Sequence, residues 1–443
     1  MRTRGESMVS RRSFFRIAGG VAAVSAAGGW MEEAAAVETS SLPVPIAALP
    51  SFAGKVAPIS NDERRARIEG AKELMAQNKI DAIVLANDST SSVYFANIRL
   101  NGGERLWALA IPAKGKPFVV CPAFENARAH ELLSAGPFAA DADVLTWQED
   151  ESPFELVVRG LRDRGIATGR VGLDENMKFV FSSSLAQAGP QLTFVIATPV
   201  TAGCRMIKDA HEMECLRTAS AATLAVYKAV YHSLREGMTT TDVRGLIAAA
   251  YDKVGLPGEA SLNIGTFTAS PHGSRQVQTI REGTVLMVDD GCLVEGYASD
   301  ITRTFVLGKP TEKMKSVFEV VHQAQQAALA AAKPGVELAS VDAAARKVIL
   351  DAGYGPGFKY FSHRVGHGLG MDGHEWPYLV TNDMFGWELD PRMRAGMVFS
   401  DEPGIYMPGE FGVRLEDDMH ITENGAELLT PASPSLEDPF ASE

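Results

Sequence analysis

The spacing of apolar and polar residues predicts alternating helices and strands in the first half of the chain. Residues 61–77 place apolar side chains along one stripe at helical spacing, whereas residues 81–86 include a short, continuous apolar run. The first pattern is typical of an amphipathic helix, and the second is typical of a buried strand. Two further strands and two further helices are predicted in the same way at 106–112, 117–121, 124–133 and 154–164. We therefore predict an α/β domain at residues 59–201.

A second unit, predicted at residues 202–432, opens with a long helix. Met213, Leu216 and Leu224 fall on one stripe of this helix, which is expected at 208–234. Three shorter helices are predicted at 242–254, 313–332 and 341–352. Strands and loops rich in Gly and Pro make up the rest, so the predicted fold class is α/β with an α+β second half.

The first 36 residues are excluded from these assignments because they have the layout of a twin-arginine export signal. Arg11 and Arg12 precede a mild apolar run at 17–29, and three alanines at 34–36 supply small residues for cleavage. The run is too short and too rich in Gly and Ala for a transmembrane helix, so no stable membrane insertion is expected. We predict a periplasmic or secreted protein, with a disordered basic leader as the alternative.

The overall composition excludes several classes of protein. The 443 residues are 46% hydrophobic and 22% charged, which is ordinary for a globular protein. The net charge is −13 and no basic stripe occurs, so nucleic acid is not expected as a partner. None of the four cysteines lies in a C-x-x-C pair, and no disulfide framework is indicated. A Pro- and Ser-rich linker is predicted at 37–58, and a short C-terminal tail at 433–443.

The second unit contains five side chains that can bind metal, each in its own short motif. The motifs are VDDG, YASDITRTF, VGHGLG, DEPGIY and VRLEDD, and the side chains are Asp289, Asp300, His367, Glu402 and Glu416. Four carboxylates with one imidazole make a site that suits Mn²⁺, Co²⁺, Fe²⁺ or Zn²⁺. Bridging carboxylates can hold two such ions about 3.5–4 Å apart, and water bound there becomes a nucleophile at neutral pH. The five residues therefore predict a two-metal hydrolytic site.

The two aspartates are expected to face each other on neighbouring strands. Asp289 ends an apolar run, Asp300 precedes another, and Glu295-Gly296 between them fits a hairpin turn. Strands that fold back at this turn place both carboxylates on one face, where they repel each other unless a cation lies between them. A solvated hairpin with Asp in its turns is the alternative.

Three further histidines lie close to these motifs in the sequence. His272 stands in a loop before the Asp289 strand, His374 follows the His367 motif, and His363 precedes it. A surface or core histidine is the default for each one taken singly. Their clustering around the metal motifs favours a functional role.

The order Asp–Asp–His–Glu–Glu within these motifs resembles the M24 metallopeptidases of the pita-bread fold. That family includes methionine aminopeptidase, aminopeptidase P, prolidase and creatinase. The similarity runs over about 205–430 and is closest in four stretches, at 297–305, 363–370, 374–377 and 402–418. Residues of about 60–200 look like the creatinase-type N-terminal domain of the Xaa-Pro peptidases, which simple methionine aminopeptidases lack. The resemblance thus implies a creatinase-like N-terminal domain followed by a pita-bread catalytic domain.

The resemblance also implies a role for each of the five ligands. Asp300 and Glu416 would bridge two divalent metal ions. Asp289 would bind one ion, and His367 together with Glu402 would bind the other. Glu402 would also be the general base toward the bridging water. Mn²⁺ is the first expectation for both ions, with Co²⁺, Zn²⁺ or Fe²⁺ as alternatives.

Substrate contacts are implied for four other residues. His272 and His374 would contact the scissile carbonyl and stabilise the tetrahedral intermediate. Arg414 would hold a substrate carboxylate, which suits the fork of a guanidinium group, and His363 is a further substrate-binding residue. Asp290 departs from the family pattern, in which an apolar residue is common, and we expect it in an outward or supporting position.

These roles imply a dinuclear-metal peptidase that hydrolyses Xaa-Pro bonds. Dipeptides are slightly favoured, because Arg414 could hold a free C-terminal carboxylate. Two other kinds of enzyme stay open: an aminopeptidase P acting on longer peptides, and a lyase or C–N hydrolase acting on a small zwitterion. A non-catalytic binding protein on the same fold is a third alternative, against which the five intact ligands argue. The resemblance further implies a peptide substrate and a homodimer.

Overall fold

The computed structural model describes residues 42–100, 102–381 and 390–440, so the predicted export signal at 1–36 lies outside the described residues. The helices are α1 Val44–Ala47, α2 Asn61–Asn78, α3 Thr90–Ala96, α4 Asn126–Ala135, α5 Pro153–Arg162, α6 Phe179–Ala188, α7 Thr198–Arg205, α8 Ala210–Tyr231, α9 Thr240–Val254, α10 Glu312–Ala331 and α11 Leu338–Asp351. The strands are β1 Ala82–Ala86, β2 Ala108–Pro112, β3 Phe118–Pro122, β4 Asp143–Trp147, β5 Gly169–Leu173, β6 Leu192–Ile196, β7 Ser261–Ile264, β8 Val285–Asp289, β9 Leu293–Val294, β10 Tyr297–Ala298, β11 Arg303–Val306, β12 His367–Gly368, β13 Glu375–Tyr378, β14 Val398–Asp401, β15 Gly404–Tyr406, β16 Gly412–Arg414, β17 Asp417–Thr422 and β18 Gly425–Leu428. Each helix predicted from the sequence is present, with its ends within a few residues of the expected ones.

The N-terminal domain is built on one mixed sheet with the strand order β4-β3-β2-β1-β5-β6. Strands β1, β2 and β3 are antiparallel to their neighbours within this group, whereas the outer pairs β3–β4, β1–β5 and β5–β6 are parallel. Successive side chains of a strand point to opposite faces. Ile83 and Leu85 accordingly enter one hydrophobic core, and Ala82 and Val84 enter another on the opposite face. Strand β1 is therefore buried on both faces, as its continuous apolar run predicts.

The C-terminal domain combines four long helices with several small antiparallel sheets. A three-stranded sheet has the order β11-β8-β7, and a five-stranded sheet has the order β13-β12-β14-β17-β18. The short hairpins β9–β10 and β15–β16 lie beside them. Helices α8 and α9 pack with the first sheet around one core, and α10 and α11 pack with the second around another. The predicted fold class, an α/β domain followed by a mixed catalytic-type domain, is confirmed.

The long helices begin where side chains satisfy their first backbone N–H groups. Ser60, Asp209 and Thr239 are the N-cap residues of α2, α8 and α9, and each forms a capping box with an acidic residue three positions later. Such caps bond two donors that the helix itself leaves without partners. The capping residue therefore fixes the start of each helix within a residue or two of the sequence-based expectation.

From Leu42 onward, the segment predicted as a linker at 37–58 packs against the C-terminal domain. Helix α1 and the segment after it pack against α8 and α9, and Ile46, Leu49 and Val56 enter the core of the C-terminal domain. Sparse apolar residues between prolines are enough to bind this segment to an existing hydrophobic surface. The Pro- and Ser-rich composition alone could not reveal that such a surface exists.

The C-terminal tail predicted at 433–443 also contacts the domain over its described part. Leu436 is buried, and the hydroxyl of Tyr231 donates a hydrogen bond of 2.8 Å to the carbonyl of Glu437. The Phe440 ring lies 5.6 Å from the Tyr231 ring, measured between centroids. Among the helices of the described residues, none combines the length and apolar character needed to cross a membrane.

Candidate metal centre

The two aspartates of the predicted site lie on either side of a double hairpin. Asp289 ends β8, which pairs with β11, while the small hairpin β9–β10 projects between them. Asp300 follows β10 and lies outside the paired strands. The two aspartates are therefore not cross-strand partners, and the sequence-based expectation that they would be is wrong. The register Arg303↔Val288 instead brings Thr302 toward Asp289, and the Thr302 hydroxyl lies 2.5 Å from the Asp289 carboxylate.

The structure brings all five predicted ligands together. Asp289, Asp300 and Glu416 each offer an oxygen within 4.8 Å of the others, and so do His367, Glu402 and Glu416 for their ligand atoms. His367 Nε2 is 3.3 Å from Glu402 Oε1 and 3.7 Å from Asp300 Oδ2. Glu416 belongs to both sets, which is the arrangement of a residue shared by two neighbouring ions.

The tautomer of His367 follows from its hydrogen bond. Its Nδ1 lies 3.1 Å from the carbonyl oxygen of Gly368, and a carbonyl oxygen can only accept. Nδ1 therefore carries the proton, and the lone pair of Nε2 points toward the carboxylates. Metal-binding histidines are usually oriented in this way by a bond at their other nitrogen.

The carboxylates raise the cost of ionisation for one another. Burial, followed by the charge of Asp289, raises the pKa of Asp300 well above its usual range. Burial, followed by the charges of Asp300 and Glu402, does the same to the pKa of Glu416. Burial, the largest influence, also opposes ionisation of Glu402, but its neighbours His367, His363 and Arg414 together outweigh burial and lower the pKa to about 2. A cation between these groups relieves the repulsion, so their chemistry fits divalent metal ions.

The ligands line the floor of a cavity of about 690 Å³. The other predicted site residues, His272, His363, His374 and Arg414, lie along the same cavity. The residues predicted from the sequence therefore share one cavity, although they come from loops and strands far apart in the chain. Asp290 also borders the cavity but belongs to neither ligand set, and its Oδ2 accepts a hydrogen bond of 2.9 Å from Ser261 N.

Arg414 does not present a free guanidinium to the cavity. Its Nη2 donates to Asp289, its Nε donates to the Thr302 hydroxyl at 2.9 Å, and its Nη1 donates to Pro271 O and the Tyr406 hydroxyl, both at 3.0 Å. A guanidinium has five N–H groups, so four are engaged within the protein. This placement makes Arg414 a support for Asp289, and its predicted contact with a substrate carboxylate stays a prediction.

Tyr406 links Arg414 to His363, and the sequence analysis did not single it out. His363 Nδ1 lies 2.8 Å from the carbonyl of Arg364, so this nitrogen carries the proton and Nε2 accepts from the Tyr406 hydroxyl at 2.7 Å. Burial lowers the pKa of His363, which favours the neutral ring. The position of Tyr406 in the Glu402-Pro-Gly-Ile-Tyr motif was the signal that could have revealed it.

The other two histidines are exposed at the cavity wall. His374 stacks on His367 with 3.7 Å between ring centroids, and one of its nitrogens lies within 4.8 Å of the ligand atoms of Asp300 and His367. Although its side chain reaches solvent, partial desolvation at the cavity wall, followed by the neighbouring His367, lowers the pKa of His374 to about 4. His272 lies in the loop after the short helical turn Gly265–Ala269. Both residues can reach a molecule bound in the cavity.

A buried ion-pair network holds the loop that carries His374. Arg205, at the end of α7, binds the carboxylates of Asp372 and Glu375, which flank His374. Lys208 Nζ lies 2.6 Å from Glu375, and the Thr90 hydroxyl donates to Asp372 at 2.6 Å. Thr90 of the N-terminal domain and Arg205 of α7 therefore together hold a wall of the metal centre. Sequence reasoning missed this network because its members are up to 282 residues apart.

Comparison with known proteins adds an independent line of evidence. The family model of the Creatinase/Prolidase N-terminal domain matches residues 67–207, and that of Metallopeptidase family M24 matches residues 214–423. A putative dipeptidase YkvY of Bacillus subtilis is 35% identical over 333 residues, which are 74% of this chain and 87% of that protein. The chain belongs to metallopeptidase family M24.

Other relatives resemble this M24 peptidase over nearly their whole length. The Xaa-Pro dipeptidase of Lactobacillus delbrueckii subsp. lactis is 31% identical over 377 residues, 82% of this chain and 96% of that protein. The crystal structure of dipeptidase PepE from Mycobacterium ulcerans has a TM-score of 0.77 at 32% identity, and the match covers 86% of this chain and 99% of that one. The predicted family and the assignment as a metal-dependent hydrolase are confirmed.

Proposed function

We propose that this M24 peptidase uses two divalent metal ions to hydrolyse Xaa-Pro peptide bonds, with dipeptides as its favoured substrates. The observation that carries the proposal is the pair of ligand sets that share Glu416 on the floor of the cavity. The preference for proline rests on the similarity to a relative, the Xaa-Pro dipeptidase of Lactobacillus delbrueckii subsp. lactis. Fold similarity alone does not fix a substrate.

The residues of this chain can each be given a part in the reaction. The ions would supply a polarised water and a Lewis acid at the scissile carbonyl. Glu402 is ionised at neutral pH and accepts a proton from the attacking water, while the Ser400 hydroxyl, 3.2 Å from Glu402 Oε1, orients its carboxylate. His374 is neutral at the same pH and can donate its ring N–H to the carbonyl oxygen as negative charge develops there. His272 is placed to assist from the opposite loop.

A substrate panel tests the proposal. Xaa-Pro dipeptides, Xaa-Pro tripeptides and non-proline dipeptides are offered to metal-stripped protein to which Mn²⁺, Co²⁺ or Zn²⁺ is added back. We expect Mn²⁺ to restore release of proline from dipeptides, and faster cleavage of tripeptides would favour the aminopeptidase alternative. Elimination from a sulfonium substrate without peptide cleavage would favour the lyase alternative.

Ligand variants complete the test. We expect His367→Ala and Asp300→Ala to abolish metal-dependent hydrolysis, whereas Glu423→Ala, at an exposed turn outside the cavity, keeps it. Full activity in metal-stripped His367→Ala protein would refute the metal-dependent mechanism. Homodimer formation and twin-arginine export are further proposals, which light scattering and cell fractionation of the full-length chain can test.

A further inference from the structure

Two arginines among the described residues line the metal-binding cavity, and only one of them is free. Arg414 already donates four hydrogen bonds within the protein, and three of these go to groups other than predicted metal ligands. Metal binding at Asp289 would therefore leave Arg414 tied to Thr302, Pro271 and Tyr406. The other cationic side chain in the cavity wall is Arg364.

Arg364 occupies a favourable position for binding an anion. It lies three residues before the ligand His367, and its guanidinium lies over the Tyr378 ring, 4.1 Å from the centroid. The Arg364 side chain makes no hydrogen bond or ion pair with any other residue of the described part of the chain. Arg364 and His374 line the same cavity.

The cavity itself explains why a free cation matters. Its floor carries carboxylates from Asp289, Asp300, Glu402 and Glu416, and Asp290 borders it. A substrate carboxylate entering this space is repelled unless a cation faces it. Stacking on Tyr378 holds the planar guanidinium in place and leaves its N–H edge available for a bidentate bond.

We infer that Arg364, rather than Arg414, binds the C-terminal carboxylate of a dipeptide substrate. The inference rests on the proposed function and deepens it, because it makes the free carboxylate the feature that selects dipeptides. In a dipeptide this carboxylate belongs to the residue just after the scissile bond. The Cα atoms on the two sides of that bond are about 3.8 Å apart. Arg364 lines the same cavity as His374, which is placed to contact the scissile carbonyl, so a carboxylate one residue beyond that carbonyl enters the space that Arg364 borders.

The test compares each Xaa-Pro dipeptide with its C-terminal amide. A charged hydrogen bond contributes about 1.5–3 kcal/mol, so we expect Arg364→Gln to lower kcat/KM for the free acid by about 10- to 100-fold, mainly through KM. Cleavage of the amide should change little, so the preference for acid over amide disappears. Arg364→Lys keeps the charge and should retain part of the preference. Arg244→Gln, on the exposed face of α9, is the matched control and should behave as wild type.

Each result separates this inference from the proposed function. If the wild-type protein cleaves neither acid nor amide, the proposed function fails. If it prefers the acid and Arg364→Gln keeps that preference, Arg364 is not the carboxylate site although the function stands. Loss of the preference in Arg414→Gln but not in Arg364→Gln would assign the role to Arg414. Thermal unfolding and bound-metal measurements on each variant show whether the fold and the metal centre are intact, and Arg364→Lys provides the comparison if Arg364→Gln does not fold.

Discussion

Replacing Arg205 with Met tests how strongly the buried ion-pair network around Glu375 supports the metal centre. The Arg205 side chain is 7% exposed, and its partner Glu375 is 5% exposed. Burial opposes ionisation of Glu375, but Arg205 and then Lys208 outweigh it and lower its pKa. Arg205→Met would remove the larger of these stabilising charges from a carboxylate that is almost fully buried. The methionine fills much of the same space, so the variant reports mainly on lost charge.

The expected loss of stability can be worked out from these contacts. Removing one partner of a buried ion pair typically costs about 3–5 kcal/mol. Lys208 remains 2.6 Å from Glu375, so we expect a value near the lower end, about 3 kcal/mol. Asp372 is 34% exposed and keeps its hydrogen bond with Thr90, so losing its ion pair with Arg205 adds little to the loss of stability.

Urea denaturation and steady-state kinetics measure the two consequences. We expect Arg205→Met to lower the free energy of unfolding by the amount above and to reduce kcat/KM, because Asp372 and Glu375 hold the His374 loop. Metal content should stay at the wild-type level, since Arg205 contacts none of the five ligands. Lys347→Met, which breaks an exposed pair with Asp351, is the control and should cost less than about 0.5 kcal/mol. A loss below about 1 kcal/mol in Arg205→Met would show that the network does not stabilise the loop.

Three further predictions concern the metal, pH and helix capping. Prolonged dialysis against a chelator should abolish hydrolysis, and a divalent ion should restore it; activity that survives complete metal removal would contradict the site. The hydrogen bond with Glu63 raises the pKa of His211. Burial opposes ionisation of Glu63, but hydrogen bonds from Ser60 and His211 together outweigh burial and lower the pKa of Glu63 to about 2. The ion pair's contribution to the free energy of unfolding is thus fully present below about pH 6.5 and is lost as the pH rises through the raised pKa of His211. His211→Asn should therefore destabilise the protein at pH 5.5 and much less at pH 9 in guanidinium titrations, and an equal loss at both would refute the ion pair. Thr239→Ala removes the N-cap of α9 and should cost about 1 kcal/mol in the same assay, with no change in bound metal.

The sequence singles out the five residues that the structure brings together, because each one sits in a distinctive local motif. The apolar run before Asp289 and the turn at Glu295-Gly296 predict a hairpin, and the structure has one at β9–β10. The glycines around His367 allow close backbone approach: a side chain at Gly366 would meet the Ser400 carbonyl at 2.0 Å. Local signals of this kind depend on neighbouring residues, so a single sequence can display them.

The support of the site was beyond sequence reasoning because it depends on long-range pairing. Arg303 and Asp417 are both fully buried and form an ion pair of 2.6 Å beside Glu416. In the sequence, Asp417 is one of two acidic residues after a ligand, and nothing selects its partner. Arg414 is a similar case. The resemblance implied a role for it, but the sequence could not reveal the four groups that accept hydrogen bonds from its guanidinium. The packing of Ile46 depends likewise on a surface that only the folded chain forms.

Glu416 belongs to two ligand sets whose other members come from distant parts of the chain, and this has a consequence for the lifetime of the protein. The five ligands are scattered in the unfolded chain, so divalent ions bind the native state preferentially. A free metal concentration one hundred times the dissociation constant then adds about 2.7 kcal/mol to stability. Scarcity of metal would enlarge the unfolded population on which proteases act. The metal supply around the protein would thus govern how long each molecule persists, as well as how fast it works.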